Sequence, residues 1–431
     1  EENSTATPPL TVNSSTIAFG GRTWWVIGDS TTGVYPLENS NSITLLAKEY
    51  QESDDTRFRE SRETDPDNEN MIPHKIPESP YGSEEYYAAN PAGLEPWDSP
   101  NEYAGSTLQQ KVEAIADSFS KAEQGAINAR IIEGVGAYNK EEGKLESGNP
   151  YCPADWSAAG QSIENQRVWE LSHEEVRKIG NSTVTSYGKT WWLRSSYHIM
   201  SNCVLLIDKG GTQIPYVNCD HPASHATEFY AARPALSLNL SSVLFASSAN
   251  AQQGKSSVSV GSQLTNAAGV TQPVCDADHP VKFTMKDDSQ TLSVYAAVNT
   301  EENEAAQSGS TLAFDYDEAT VGSGQFVSCV MTDSSGAVQY YGKLADCSSK
   351  GSGKLEISLN GVADGTYTLQ IFAEKENGDM ETDLCSQPIR MTVAVSSGTG
   401  TVSNFGGTIL HEHDWSDAWS GSQTHHWHVC Q

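Results

Sequence analysis

The chain has no basic excess, no long apolar run, no paired-cysteine spacing and no common catalytic motif. Lys and Arg total 26 against 56 Asp and Glu, a net charge of −30. A polyanionic partner needs a basic face, so nucleic acid and anionic membrane surfaces are excluded as partners. The acidity itself reads as the solubility device of a secreted protein. The strongest apolar run, Cys203-Val204-Leu205-Leu206-Ile207, is strand-sized and far short of the ~20 residues that span a bilayer. The eight Cys never form a CxxC pair, which excludes a structural zinc spacing and a dense disulfide scaffold. Cys275, Cys329, Cys347 and Cys385 share one later segment, leaving room for a bridge or two whose pairing the sequence does not fix. HExxH, GxSxG and phosphate-cradling loops are absent, and nothing marks a cofactor. Carboxylate pairs for glycoside hydrolysis stay open.

Glu1-Glu2-Asn3-Ser4-Thr5 opens the chain without Met. This reads as a mature N-terminus left by signal-peptide removal, with a wall or membrane anchor expected beyond Gln431. An extracellular place at the cell surface or wall follows as the expectation.

Tryptophan divides the sequence. Seven lie from Trp24 to Trp192, none between Phe245 and His413, and Trp415, Trp419 and Trp427 crowd the end. The reading is a globular domain over 14–247, a second over 254–396, and a tail over 397–431.

Thr16–Phe19 and Thr23–Ile27 read as strands joined by Gly20-Gly21-Arg22. Residues 49–70 are polar and hold few aliphatics, which predicts a long exposed loop. A helix is expected from Ser106, with Gln109 completing a capping box and Leu108, Val112, Ile115 and Phe119 forming its apolar stripe. Ser120 and Glu123 start a second helix, reaching toward Ile131-Ile132. A third runs from Ser172, capped with Glu175 and stopped by Gly180. Strands follow at Thr190–Arg194, Cys203–Asp208 and Gln213–Asn218, the last two turning at Lys209-Gly210-Gly211. Ala232–Leu240 closes the domain. The mixture is α+β.

The second domain reads as all-β. Lys354–Leu359 and Tyr367–Ile371 alternate with period two. Asp364-Gly365-Thr366-Tyr367 matches the corner of immunoglobulin-like sandwiches, where the Tyr hydroxyl bonds back to nearby backbone. The usual Cys two residues on is Leu369, so the inter-sheet disulfide is missing and a generic sandwich spacer stays open. The tail carries five of the eleven His. His411, His413, His425, His428 and Cys430 are weak candidates for Zn²⁺ or Cu²⁺. The competing reading is a repeat unit cut short, in which Trp and His stack for structure.

Four segments carry a resemblance over residues 14–246. They are Phe19-Gly20-Gly21-Arg22-Thr23-Trp24-Trp25-Val26-Ile27, Val168–Glu175, Trp191-Trp192-Leu193-Arg194-Ser195 and Arg233-Pro234-Ala235-Leu236. Together they resemble a domain family on surface proteins of gut Firmicutes, itself similar to the formylglycine-generating-enzyme branch of the C-type lectin fold. The resemblance implies a C-type-lectin-like domain followed by an immunoglobulin-like module. It also implies kinship with the variable proteins of diversity-generating retroelements, in which template Asn codons mutate at adenines. The segment between Arg194 and Arg233 is where such variation would sit. Candidate ligand-binding residues are Tyr197, His198, Ile199, Ser201, Asn202, Cys203, Tyr216, Asn218, Asp220, His221, Ser224, His225, Phe229 and Tyr230. Cys219, Pro222 and Ala223 share the property that these types are reachable from an Asn codon by adenine changes alone. Met200 and Glu228 are not. Rigid rings with adaptable Ser and Asn suit a paratope, and a broad aromatic and polar face favours a protein over a glycan ligand. An ordinary loop-rich region with buried aromatics is the competing reading.

No catalytic residue is assigned. His173 follows a helix cap and is expected at the surface. Cys203 and Cys219 are sixteen apart in number, too far for the oxygen chemistry of the formylglycine-generating relatives. Carboxylates such as Asp54-Asp55 and Glu84-Glu85 read as solvated loops. Arg194 and Arg233 are expected to pair with buried carboxylates as scaffold rather than touch ligand. Three readings remain: a surface receptor or adhesin with a variable face over 197–230, a carbohydrate-active or modifying enzyme, and a structural stalk.

Overall fold

The computed structural model describes residues 9–34, 41–58, 103–132, 163–196, 203–218, 230–297, 308–410, 415–421 and 426–430. The chain is β-rich with several sheets and divides into two compact units. Among the described residues no helix is long and apolar enough to cross a membrane.

The first unit is Pro9–Ser242 with Cys275–Pro280. The late segment belongs there because three side chains hold its carbonyls: Ser15 Oγ donates to Cys275 O, Thr16 Oγ1 to Asp276 O and Lys48 Nζ to Ala277 O, at 3.2, 2.5 and 2.7 Å. Strands β1 (Thr16–Phe19) and β2 (Arg22–Gly28) form the expected hairpin. Its turn needs glycine, with φ of 58° at Gly20 and 73° at Gly21, a region that L side chains enter at a cost. β2 pairs with β3 (Ser42–Ala47), and β3 with β13 (Ala235–Asn239). β5 (Ile127–Asn128) and β8 (Val168–Trp169) both pair with β13. A second, five-stranded sheet has the order β11-β10-β9-β12-β4. These strands are β4 (Asp55–Thr56), β9 (Trp191–Ser196), β10 (Cys203–Ile207), β11 (Gln213–Asn218) and β12 (Tyr230–Ala231). The remaining short pair is β6 (Arg130–Ile132) with β7 (Ile163–Gln166).

The caps place the helices. Ser106 accepts from Gln109 N at 3.0 Å and opens Thr107–Ile115. The box is one-sided, because the Gln109 amide donates instead to Gln166 at 2.8 Å. Ser120 with Glu123, and Ser172 with Glu175, close reciprocal boxes on Lys121–Ala126 and His173–Ile179. Gly180, at φ 61°, stops the last. Two expectations fail. The second helix ends at Ala126, and Ile131-Ile132 lie in β6, because pairing with β13 and β7 takes the chain into strands. Nor is 49–58 an exposed loop: Glu52–Asp54 is a 3-10 turn, β4 follows, and Asp54, Thr56 and Phe58 are buried.

The second unit comprises Val243–Val274 and Val281–Gln431. The expected break at 247 therefore moves: β14 (Val243–Ser248) pairs with β15 (Val281–Lys286). One sheet runs through β19 (Gln325–Thr332), which pairs with β20 (Val338–Asp346) and β22 (Gly365–Lys375). It continues to β24 (Ile389–Ser396) and β25 (Thr399–Ser403), with β23 (Asp383–Cys385) beside the end of β22. The other has the order β21-β18-β16-β26, of β16 (Ser293–Ala297), β18 (Thr311–Asp317), β21 (Gly353–Ser358) and β26 (Thr408–Leu410). Residues from both sheets share one core, among them Leu312, Phe314, Leu355, Ile357, Val327, Met331, Leu369 and Val393. β25 and β26 carry the sandwich past the expected tail start at 397, to Leu410. Among the described residues that follow, β27 (Trp415–Gly421) and β28 (His426–Cys430) pair antiparallel with each other. Tyr367 Oη donates to Ala363 O at 3.1 Å, the back-bond its motif called for. No bridge joins Cys275, Cys329, Cys347 and Cys385 to one another, and Cys329, Cys347 and Cys385 are buried free thiols.

Candidate ligand-binding face

Two buried arginines, Arg194 and Arg233, bracket the candidate segment in the sequence. Arg194 on β9 points at the Ser172-capped helix. Its Nη1 donates to Glu175 Oε2 at 2.6 Å and to Glu170 O at 2.7 Å, and Nη2 donates to Glu175 Oε1 at 2.5 Å. Both side chains are about nine-tenths buried or more. Glu175 also accepts from Ser172 N, so one carboxylate serves the cap and the strand together. Ser195 Oγ accepts from His173 N at 2.9 Å, a second tie between strand and helix. Arg194 therefore is scaffold, as its sequence context implied. His173 is buried rather than at the surface, because the helix packs its first turn against β9.

Arg233 corrects the expectation of a carboxylate partner. Its guanidinium donates to three backbone carbonyls, Ala47, Thr185 and Val184, at 2.8, 2.8 and 2.7 Å. The Tyr187 and Trp191 rings lie 4.6 and 4.9 Å from it, a cation–π contact that favours its charge. Burial pushes its pKa down to about 9, which leaves it charged at neutral pH. The carboxylate nearby, Glu170, accepts instead from Arg233 N at 2.6 Å. Glu170 is wholly buried, and burial pushes its pKa well above the ordinary carboxylate range, with the Asp54 charge adding to the rise.

Asp54 is the frame residue that sequence reasoning missed. Arg22 holds it with two hydrogen bonds, Nη2 to Oδ1 at 2.7 Å and Nη1 to Oδ2 at 3.1 Å. Tyr187 Oη donates to Oδ2 at 2.8 Å. A carboxylate in a polar stretch is solvated by default, and no local signal marks these distant partners. Its neighbour Asp55 pairs with Lys189, whose ammonium also lies over the Tyr50 ring.

The five-stranded sheet decides where the candidate residues can go. β9 and β10 are antiparallel, with Ser196 opposite Val204, and β10 and β11 put Cys203 opposite Asn218. Ser196, Cys203 and Asn218 thus share one end of the layer. β12 runs parallel to β9 with Ala231 opposite Trp191. Tyr230 therefore lies beside Thr190 at the other end, six residues along from Ser196, or roughly 20 Å at strand rise. Tyr230 is half-buried and meets Trp192 edge-on at 5.0 Å, and Trp192 in turn meets Phe58. Val204, Leu205, Leu206 and Ile207 are all fully buried. Both sides of β10 over Val204–Ile207 are therefore covered.

Cys203, Tyr216 and Asn218 are placed by their backbone in β10 and β11. Tyr197, His198, Ile199, Ser201, Asn202, Asp220, His221, Ser224, His225 and Phe229 lie outside the described residues, as do Cys219, Glu84-Glu85, His411, His413 and His425. His428 and Cys430 are backbone positions of β28. Among the described residues no group of three His, Cys, Asp or Glu is placed to hold a metal. Searches against protein families, curated proteins and solved structures find no match to this chain.

Proposed function

We propose that this is a cell-surface ligand-binding protein of the receptor or adhesin type, without catalytic activity, whose ligand docks at the Ser196–Cys203–Asn218 end of the five-stranded sheet. One observation carries the reading. A buried ion pair and a helix contact anchor β9, β10 and β11 pair onto it in turn, and the three adjacent strand ends are where the paratope-like segments begin in the sequence. The chain that follows Ser196 and the chain that follows Asn218 hold the His, Tyr, Ser and Asn that suit adaptable recognition. A rigid layer beneath variable contacts lowers the ordering cost of binding.

On this reading the first unit is C-type-lectin-like and its face is diversified through adenine-directed mutation. The second unit is an immunoglobulin-like spacer, supported by two sheets over one core and the Tyr367 back-bond. The partner is a protein before a glycan, and the setting is extracellular.

The test is a display library in which positions 198, 199, 201, 202, 220, 221, 224 and 225 are randomised over the types an Asn codon reaches. Most members are expected to keep the parental Tm within a few degrees and to yield binders on selection against unrelated protein targets. A library that mostly unfolds would make those positions structural and overturn the reading.

A further inference from the structure

The second unit buries a reactive-group cluster that ligand display does not use. Lys255 opens the Lys255–Ser257 turn, and its side chain is wholly inaccessible. Its Nζ lies 2.7 Å from Asp383 Oδ2, is in contact with Glu374 Oε1, and donates to Thr284 Oγ1 at 2.6 Å. Glu374 and Asp383 are equally inaccessible. Strand register assembles the group, with Thr284 opposite Asp383 and Glu374 opposite Cys385. Tyr341 Oη donates to Glu374 Oε2 at 2.7 Å and fixes its orientation. Asp383 Oδ1 accepts from Lys282 Nζ at 3.0 Å and Asn377 N at 2.9 Å, and Lys282 Nζ also lies 2.8 Å from Oδ2, so it straddles both carboxyl oxygens. The Phe245 ring stands 5.0 Å from the Lys255 Nζ, and Phe372 and Cys385 complete the apolar wall.

A stabilising ion pair does not need this arrangement. Removing two charges from water costs more than their attraction commonly returns, and apolar replacements are often as stable. The same arrangement has the parts of an amide-forming site: a nucleophilic amine, an electrophilic carboxyl against it, a second carboxylate beside the amine to take its proton, donors on the far carboxyl oxygen, and side chains closed to solvent. We infer that Lys255 and Asp383 condense into an intramolecular isopeptide bond, with Glu374 as the proton carrier.

The step balances without an oxidant or cofactor. It begins from ammonium and carboxylate, which the mutual contacts favour even though burial opposes both charges. Lys255 Nζ passes one proton directly to Asp383 Oδ2, leaving a neutral amine and a neutral carboxyl. The Nζ lone pair forms a bond to the Asp383 carbonyl carbon. Lys282 and the Asn377 N–H stabilise charge on Oδ1 in the tetrahedral intermediate. Glu374 then carries a second Nζ proton to the departing hydroxyl, the C–O bond breaks, and water leaves. One positive and one negative charge vanish together, so Lys282 and Glu374 remain balanced. Escape of water from a dry site and loss of two buried charges both favour the amide. The bond ties a turn near the start of the unit to a strand near its end, which suits a spacer that bears load.

Intact mass of the full chain, after reduction, tests it. The expected mass is the sequence mass less one water. Digestion should yield a branched peptide joining the segment around Lys255 to the segment around Asp383. A mass equal to the sequence sum would overturn the inference, and so would recovery of the two segments as separate linear peptides. A water loss mapped to another site would overturn it equally. The Glu374→Gln variant is expected to fold and to regain the full mass, while Lys255→Arg is also expected at full mass. Loss of water in folded Glu374→Gln would overturn the role given to Glu374.

Discussion

Arg194 and Glu175 meet as a two-pronged pair, 2.6 and 2.5 Å across, that joins the middle of β9 to the first turn of the His173–Ile179 helix. The glutamate would cap that helix without the arginine. The arginine makes the cap a tertiary contact.

Breaking this pair on one side leaves a buried charge uncompensated. Glu175→Gln and Arg194→Met are each expected to destabilise the first unit by ~3–5 kcal/mol. Arg194→Lys should recover little, since an ammonium cannot reproduce the fork. Denaturant unfolding followed by Trp fluorescence reads this directly, because the buried Trp residues of known position all lie in that unit. A loss below ~1 kcal/mol would show the pair to be solvated.

Glu170 predicts a pH dependence. Its folded pKa is raised, chiefly by burial, so folding favours the protonated form. The associated stability is full below the unfolded Glu value and declines as pH rises through the folded pKa. The slope for one proton is at most ~1.4 kcal/mol per pH unit. Glu170→Gln should flatten the alkaline side of the stability profile for the first unit. An unchanged profile in that variant would assign the dependence to another group.

Free thiols give a chemical check on the second unit. Burial pushes the Cys329 thiol up to about 12 and Cys385 higher still. Neither should react with an alkylating reagent at neutral pH in the folded chain. In denaturant without reductant, Cys329, Cys347 and Cys385 should all label, as read by peptide mass. Protection of any one of them in denaturant would reveal a bridge.

At the β1–β2 turn, Gly20 has no room for a side chain. A Cβ there would lie 2.1 Å from Phe119 Cε1, at a φ of 58°. Gly20→Ala is therefore expected to cost more than the ~1–2 kcal/mol of left-handed backbone alone, measured as a drop in Tm of the first unit. Gly20→Ala combined with Phe119→Leu should recover part of the loss if the clash contributes. No recovery would assign the whole cost to backbone conformation.

The Tyr367 back-bond should contribute about 1 kcal/mol. Tyr367→Phe removes only that hydroxyl, and the shift in unfolding midpoint of the second unit measures it.

Helix starts were legible in the sequence because capping is local. Ser120 with Glu123 and Ser172 with Glu175 act over three residues, and each box formed as read. The Gly20-Gly21 hairpin and the Tyr367 corner are local in the same way. The end of the second helix was not legible, since Ile127 and Ile131 fit either a helix or a strand until β13 and β7 offered partners. His173 and Asp54 were misplaced for a similar reason: burial depends on what lies opposite, and Asp54 finds Tyr187 across 133 positions of sequence.

By itself the sequence determined the acidic character of the chain, its caps and its turns, because composition and short-range geometry suffice for these. Only the tertiary structure decided that Arg233 rests on backbone carbonyls, that Ser196, Cys203 and Asn218 share one end of a layer while Tyr230 stands at the other, and that Lys255 meets Asp383. Those relations depend on strand register and on pairings across long stretches of chain. Register is fixed only when both faces of a sheet find their cover, and no local signal encodes that.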